Sequence, residues 1–202
     1  MTYRRKDAFH RRAKAEGYRA RSAYKLAELD RRYRLLRRGD RVVDLGAWPG
    51  GWLQVAAERV GPEGRIVGVD LVPLEPLAPP TVTLLTGDLR DPATAAEARA
   101  RLGRPADVVL SDVAPKLTGV RATDEARSSE LFEGVLAALP TLLAPGGRLL
   151  AKLFMTNDYE RLVGEVRRRF ATTTTTRTEA SRRGSAELYV VALGYSGAPA
   201  GG

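Results

Sequence analysis

Short apolar runs alternate with segments whose apolar residues recur at helical spacing. Five runs read as buried strands: RVVDLG, GRIVGVDL, TVTLLTGDL, ADVVLSDVAP and GGRLLAKLF. Helices are predicted between them over residues 50–60, 91–102 and 124–143, and Pro140 is expected to kink the last helix or end it early. Before the first strand, residues 21–36 predict an amphipathic helix with a basic outer face.

After the fifth run the pattern changes. A helix capped by Asn157 is predicted over residues 157–170. Two further strands, residues 172–176 and AELYVVALGY, follow without a helix between them, so they are expected to pair as an antiparallel hairpin through the basic loop 177–184. Strand–helix alternation over the rest predicts an α/β fold with a mostly parallel, seven-stranded, doubly wound sheet.

Composition narrows the class of protein. The 202 residues are enough for one domain, and no run approaches the roughly 18 apolar residues that span a bilayer. The chain has no cysteine and a single histidine, His10, in an arginine-rich segment, so no metal site is expected. The basic N-terminus lacks the apolar core of a signal peptide, so we expect a cytoplasmic protein.

Positive charge is concentrated near the N-terminus. Residues 1–41 contain 15 Lys/Arg and 5 Asp/Glu, whereas the remainder contains 18 and 19. Such an excess indicates a polyanionic partner, most simply nucleic acid, although a solvated basic tail is the alternative. We divide the chain into a basic arm over residues 1–20, one domain over residues 21–195 and a disordered tail over residues 196–202.

Four of the predicted strands end in an acid: Asp44, Asp70, Asp88 and Asp112. In open α/β sheets the ligand lies at the carboxyl ends of the strands, so the four acids are expected to meet there. Asp70 suits the hydroxyls of a ribose, Asp88 suits the exocyclic amine of an adenine, and Asp44 suits a cationic amine. Together these groups indicate S-adenosylmethionine as the cofactor.

The turn GAWPGG after the first strand lets a ligand approach the backbone closely. It matches the dinucleotide pattern G-x-G-x-x-G only loosely, because Trp48 stands where a glycine is needed. Pro49 and the flanking tryptophans also fit a pyrophosphate cradle poorly. The turn therefore favours a ligand other than a dinucleotide.

Lysine is rare in this chain, which has 28 arginines and 5 lysines. Lys152 lies inside the apolar run GRLLAKLF. Of the two basic residue types, arginine and lysine, only lysine can plausibly lose its proton. It is therefore a candidate for proton transfer. The alternative is a lysine whose stem lies on the strand while its amine reaches water.

The motifs GYRARSAYKL, DLGAWPGGW, SDVAPKLTG, LAPGGRLLAKLF and GSAELYVVALG occur in this order over about residues 7–195. In them the chain resembles the FtsJ-like family of RNA ribose 2′-O-methyltransferases. The resemblance implies a Rossmann-like methyltransferase fold and S-adenosylmethionine as cofactor. It implies a catalytic set of Lys25, Asp112, Lys152 and Glu187. Cofactor contacts are expected at Asp44, Gly46, Gly50, Gly51, Trp52, Asp70, Asp88, Leu89 and Asp112.

The resemblance also implies a substrate. The short single domain is similar to bacterial members that methylate a uridine in large-subunit (23S) ribosomal RNA, so we expect a monomer acting on that RNA or on the large subunit. Transfer RNA and an mRNA cap are alternative substrates. A small-molecule methyltransferase and a non-catalytic RNA-binding assembly factor are the other classes. Lys152 is expected to act either as general base or as an orienting cation, and Trp48 departs from the family pattern.

Overall fold

The computed structural model describes residues 11–116, 118–180 and 186–197. Its seven strands are β1 Arg41–Leu45, β2 Arg65–Asp70, β3 Val82–Thr86, β4 Ala106–Ser111, β5 Leu143–Phe154, β6 Phe170–Thr176 and β7 Glu187–Tyr195. They form one sheet in the order β3-β2-β1-β4-β5-β7-β6. Strands β1 to β5 pair in parallel, whereas β7 is antiparallel to both β5 and β6. The predicted mostly parallel sheet with a C-terminal hairpin is confirmed.

Helices cover both faces of the sheet. They are α1 Ala23–Tyr33, α2 Gly51–Val60, α3 Pro92–Leu102, α4 Arg121–Leu142 and α5 Tyr159–Arg169. Buried residues of α1 and α2 form one core cluster with one face of the sheet, and those of α3, α4 and α5 form a second cluster on the other face. The sheet is therefore buried on both sides, as its near-continuous apolar runs require.

The two-residue period of a strand decides which side chains face α1. In β5, Leu149, Ala151 and Leu153 belong to the cluster with α3, α4 and α5, whereas Leu150 belongs to the cluster with α1 and α2. Because side chains alternate along a strand, Lys152 faces the same side as Leu150. The same alternation places Tyr189 in the α1 cluster. The carboxyl end of β5 and the start of β7 thus present polar groups toward α1.

The predicted cap of α5 is wrong, and one of the two effects expected of Pro140 is excluded. Helix α4 does not end early at Pro140 but continues to Leu142. Leu139 and Leu142 are buried in the core, so packing keeps the last turn helical although proline cannot donate a backbone hydrogen bond. The cap of α5 is Asp158 rather than Asn157, because the first helical hydrogen bond runs from the Leu162 N–H to the Asp158 carbonyl.

The segment before α1 packs on α2 in its described part. Gln54 accepts a hydrogen bond from the Arg19 N–H at 2.8 Å and donates one to the Gly17 carbonyl at 2.8 Å. Tyr18 donates to Glu58 at 3.0 Å. Residues 1–10 of the predicted arm, residues 181–185 of the predicted loop and residues 198–202 of the predicted tail lie outside the described residues. Within the described part, no helix is long and apolar enough to cross a membrane.

A buried ion pair fixes the chain between α1 and β1. Arg148 on β5 contacts both carboxylate oxygens of Asp40 at 3.0 Å and also donates to the Leu35 carbonyl. Both side chains of the pair are only 9% exposed. Arg148, Leu150 and Lys152 share one face of β5, so the strand holds the segment after α1 through Arg148 and pairs with Asp112 through Lys152 near its other end.

Candidate active site

Asp44 is a buried acid at the carboxyl end of β1. Its side chain is fully buried, and neither carboxylate oxygen has a hydrogen-bond partner among the described residues. Burial raises the pKa of Asp44 well above its usual value, and the negative charges of Asp112 and Asp70 raise it further. An unpaired buried carboxylate beside two other acids is a site that favours a cation.

Asp70 ends β2 on the same face as Asp44. Its two oxygens accept backbone N–H groups from Trp48 and Val72, each at 2.9 Å. A carboxylate has about four acceptor positions, so two remain for the hydroxyls of a ligand. The Trp48 side chain is 58% exposed beside this acid, and only its backbone is tied to Asp70.

Asp88 lies two residues beyond β3 and has a partner in the chain itself. Arg90 contacts both of its oxygens, the shortest distance being 2.7 Å, and also pairs with Glu130 at 2.6 Å. The hydrogen bonds from Arg90 lower the pKa of Asp88. The neighbouring Leu89 is half-buried against the core. An adenine amine would therefore share the Asp88 carboxylate with a guanidinium.

The glycine turn is closely packed against other parts of the chain. At Gly46, where φ is +80°, an added Cβ would lie 2.5 Å from a methyl group of Val113. Gly50 adopts a φ of +110° and lies against Arg19, and Gly51 lies against Ala20. A side chain at Gly46 would displace Val113, a side chain at Gly50 would be strained by the positive φ, and one at Gly51 would make tight contacts of 3.2 Å with Ala20. The N-terminus of α2 nevertheless leaves free backbone N–H groups there.

Trp52 contributes its side chain to the core. The ring is 3% exposed, its N–H donates to the Ser22 carbonyl at 2.9 Å, and it packs at 6.1 Å from the Tyr189 ring. Only the backbone of Trp52, in the first turn of α2, can face a ligand at the strand ends. The indole fixes the start of α1, and with it the position of Lys25.

The four predicted catalytic residues lie in one connected group. Lys25 donates to Glu187 at 2.5 Å, and Lys152 pairs with the Asp112 carboxylate at 3.1 Å and donates to the Asp112 carbonyl at 2.7 Å. All four side chains are largely buried, with exposures of 7 to 18%. The structure therefore brings together residues that the sequence separates by up to 162 positions.

Tyr189 joins the two ion pairs, and sequence reasoning missed it. Its hydroxyl accepts a hydrogen bond from Lys25 at 3.1 Å and lies 3.0 Å from Asp112 and 3.1 Å from Glu187, so its proton is donated to one of the two carboxylates. Burial raises the pKa of Tyr189, as do the charges of Asp112 and Glu187, so the phenol stays protonated. The signal was present, because Tyr189 follows Glu187 by two residues on one strand face.

The strand order, the acids at the carboxyl edge and the paired lysines define the class as the S-adenosylmethionine-dependent methyltransferases. The fold is shared with Aeropyrum pernix fibrillarin, solved with bound S-adenosylmethionine, at a TM-score of 0.57, 18% identity and coverage of 79% of this chain and 68% of that chain. The FtsJ-like methyltransferase profile matches residues 18–195. The chain belongs to the FtsJ-like methyltransferase family.

Relatives at higher identity carry ribosomal RNA names. A protein of Syntrophobacter fumaroxidans named ribosomal RNA large subunit methyltransferase E is 45% identical, over 96% of this chain and 98% of its own length. A protein of the same name from Methanothermobacter thermautotrophicus is 42% identical, over 96% and 92%. A crystal structure described as a ribosomal RNA methyltransferase from Plasmodium falciparum has a TM-score of 0.80 at 26% identity, covering 89% of this chain and all of that one.

Proposed function

We propose that this enzyme methylates the 2′-hydroxyl of a ribose, in a uridine of the large-subunit (23S) ribosomal RNA. The observation that carries the proposal is the position of two lysines, each paired with an acid and joined through Tyr189, beside the unpaired Asp44. A cation site and a proton-handling site are thus adjacent at the strand ends. The relatives named above support the choice of RNA.

The residues at the carboxyl edge fit S-adenosylmethionine. This cofactor is a cation, and when bound it supplies a sulfonium methyl group that an oxygen can attack. Asp44 is a buried carboxylate with no partner among the described residues, so it suits the positive end of the cofactor. Asp70 would bind the ribose hydroxyls, and Asp88 with Leu89 would bind the adenine.

The backbone around the glycine turn completes the proposed cofactor site. The free N–H groups at the start of α2, near Gly50, Gly51 and Trp52, suit the carboxylate of an amino acid because a helix N-terminus favours negative charge. Gly46 allows the turn to lie close to Val113 and so keeps the strand ends open. These contacts are expected to place the methyl group near Lys152 and Asp112.

Lys152 is proposed to act on the target hydroxyl. Its ammonium has three N–H donors, and the Asp112 carbonyl and carboxylate occupy two of them. The remaining position can orient the ribose oxygen, or take its proton once the lysine is neutral. Asp112 therefore positions Lys152, and both the base role and the orienting role are compatible with these contacts.

The target ribose is also proposed to contact a second group, opposite Lys152, that consists of Lys25, Glu187 and Tyr189. Lys25 lies on α1 and its amine is fixed by Glu187 and Tyr189, so its charge has a defined position near the strand ends. A fixed cation there suits a phosphate or a ribose oxygen of RNA. Because most of the rate enhancement of an in-line methyl transfer comes from positioning, small displacements of this group should matter.

The proposal also concerns the form in which the enzyme meets its RNA, either free or assembled in the large ribosomal subunit. We propose that ribosomal RNA is met within the large subunit, in the cytoplasm, by a monomeric enzyme. Incubation with labelled S-adenosylmethionine and either free large-subunit RNA, assembled subunits or transfer RNA tests this choice. Transfer to assembled subunits supports the proposal. Transfer to free large-subunit RNA alone keeps the substrate class but contradicts the assembled subunit as substrate, and transfer to transfer RNA alone contradicts both.

A further inference from the structure

Arginines cluster at the end of α1 that lies away from Lys25. The cluster consists of Arg31, Arg34, Arg37 and Arg38, all exposed. It borders an open cleft of about 600 Å³, lined by Asp30, Arg31, Arg34, Leu36, Arg37 and Arg59. Arg31 lies in the last turn of α1, and Arg34, Arg37 and Arg38 lie on the chain that leads from α1 to the start of β1, at the amino end of the sheet and opposite the strand ends of the proposed active site. We call this group the α1-end arginines.

The acids near the α1-end arginines are already paired with other groups. Asp30 contacts Arg59 at 3.0 Å and accepts the Leu36 N–H at 2.8 Å. Asp40 is held by the buried Arg148. In the part of the chain that the structure describes, none of the four guanidiniums has an acidic partner. Four uncompensated positive charges in one region repel each other, and a bound polyanion would remove that cost.

The backbone at Arg34 supports a functional role for this cluster. Arg34 caps α1 with φ +52° and ψ +52°, and among the described residues other than glycine it alone has a positive φ. Glycine is the usual residue at a left-handed helix cap, because a side chain there is strained. Favourable contact with the negative end of the helix is one reason for a cation. It does not account for Arg37 and Arg38, which lie beyond the helix.

The distance to Lys25 fits one extended ligand. Arg34 is nine residues beyond Lys25, which corresponds to about 14 Å along the axis of an α-helix. That is on the order of four nucleotide steps of a duplex. Guanidinium groups bind phosphate oxygens in pairs, and arginine is the residue best suited to such contacts. Arg34 caps the end of α1 and Arg37 and Arg38 lie beyond it, so a polyanion that supplies the target ribose near Lys25 and passes around this helix end can reach the α1-end arginines.

We propose that the α1-end arginines bind the phosphodiester backbone of the substrate RNA, a few nucleotides from the methylated ribose. The inference rests on the proposed function, because it takes the ligand at Lys25 to be RNA. The cluster and Lys25 then form two contacts on one RNA, one that positions the reacting sugar and one that anchors the flanking strand.

The first test compares two variants with the same loss of charge. One carries Arg31→Gln, Arg34→Gln and Arg37→Gln; the control carries Arg99→Gln, Arg167→Gln and Arg168→Gln, exposed positions on the helices of the other sheet face. Filter binding of a full-length large-subunit RNA transcript is measured against salt. Loss of three phosphate contacts should weaken binding on the order of tenfold and lower the salt slope by about 2.

The control variant should bind the transcript within about twofold of wild type, since it removes charge but no proposed contact. Equal losses in both variants would overturn the proposal, because net charge alone would then explain them. Unchanged affinity and slope in the first variant would also overturn it. Cofactor affinity, measured in parallel, should match wild type in both, which shows that the fold and the active site are intact.

Arg34→Gly gives an independent test, because an RNA contact and a purely structural role of Arg34 predict different results. Glycine relieves the strained cap, so the melting temperature should rise. RNA affinity should fall and KM for RNA should rise, with kcat unchanged at saturating RNA. A more stable variant with wild-type RNA affinity would refute the proposal. If wild type binds the transcript through these arginines yet transfers no methyl group, the proposed function fails while the RNA contact stands.

Discussion

Lys152 and Tyr189 lie directly opposite each other in the antiparallel pairing of β5 and β7, and both reach the same carboxylate oxygen of Asp112. Opposed residues on one sheet face have their Cβ atoms about 5 Å apart. The arrangement of the proposed catalytic group therefore depends on the register of the sheet. A slip of β7 by one residue would turn Tyr189 and Glu187 away from α1.

Tyr189→Phe tests the central hydroxyl. Phenylalanine keeps the packing with Trp52 but removes the group that joins Lys25 to Asp112. Hydrogen bonds to charged groups contribute about 1.5–3 kcal/mol, so the single-turnover rate should fall about 10- to 100-fold. Cofactor affinity should change little. A rate within twofold of wild type would remove Tyr189 from the proposed site.

Asp44→Asn should increase the stability of the cofactor-free enzyme at neutral pH. The pKa of Asp44 is raised above its usual value of 3.8 in the folded state, so the unfolded chain releases this proton first. The free energy of unfolding of wild type therefore falls as pH rises from 3.8 through the raised pKa. Thermal unfolding of both proteins between pH 4 and pH 8 should show a stability difference that grows with pH. A difference independent of pH would contradict the unpaired charge.

The same substitution tests the proposed role of Asp44 toward the cofactor. Loss of the charge should weaken S-adenosylmethionine binding by about 1.5–3 kcal/mol, the range for an interaction with a charged group. Isothermal titration calorimetry of the folded variant measures this change. Equal affinities of wild type and variant would exclude Asp44 from the cofactor site.

Asp70→Ala should weaken cofactor binding by about 1.5–3 kcal/mol through loss of the ribose contacts. Because Asp70 also accepts the N–H groups of Trp48 and Val72, the alanine variant also loosens the turn. Asp70→Asn serves as control, since its amide oxygen keeps an acceptor but loses the charge, and it should bind with intermediate affinity. Calorimetry that gives wild-type affinity for the alanine variant would refute the assignment.

Lys152→Arg separates the two roles proposed for this residue. Arginine keeps the charge but cannot act as a base near neutral pH, and general-base assistance is worth about 10²–10⁴ in rate. If Lys152 is the base, single-turnover rates of the arginine and alanine variants should be similarly low. If it orients the hydroxyl, the arginine variant should be clearly faster than the alanine variant. An arginine variant within a few-fold of wild type ends the base hypothesis.

Most of the fold could be predicted because strands and helices leave different periods in the sequence. The runs RVVDLG and GRIVGVDL appear as β1 and β2 with nearly the predicted bounds, and Gly61 ends α2. The exact ends of the helices were harder to predict. Helix α4 continues past Pro140 because Leu139 and Leu142 pack in the core, and Asn157 lies in the turn before α5 rather than at its cap.

The site was predictable in its members but not in its connections. Lys25, Asp112, Lys152 and Glu187 were identified from motifs, and the structure places them together. Tyr189 was missed because an aromatic residue in an apolar strand resembles core, although its place two residues after Glu187 puts both on one strand face; the register with Lys152 then reveals its polar partners. Trp52 packs its ring in the core, and Arg19 and Ala20 lie against the glycine turn, contacts between distant segments that no local pattern encodes.

The most direct measurement is transfer of a labelled methyl group from S-adenosylmethionine to large-subunit ribosomal RNA, followed by mass spectrometry of the RNA nucleosides. Wild type and Lys152→Ala are compared, each shown to be folded and to bind cofactor. The proposed function predicts a single 2′-O-methylated ribose with wild type and loss of that product with the variant. Methylation of a base, no transfer by wild type, or equal transfer by both proteins would contradict it.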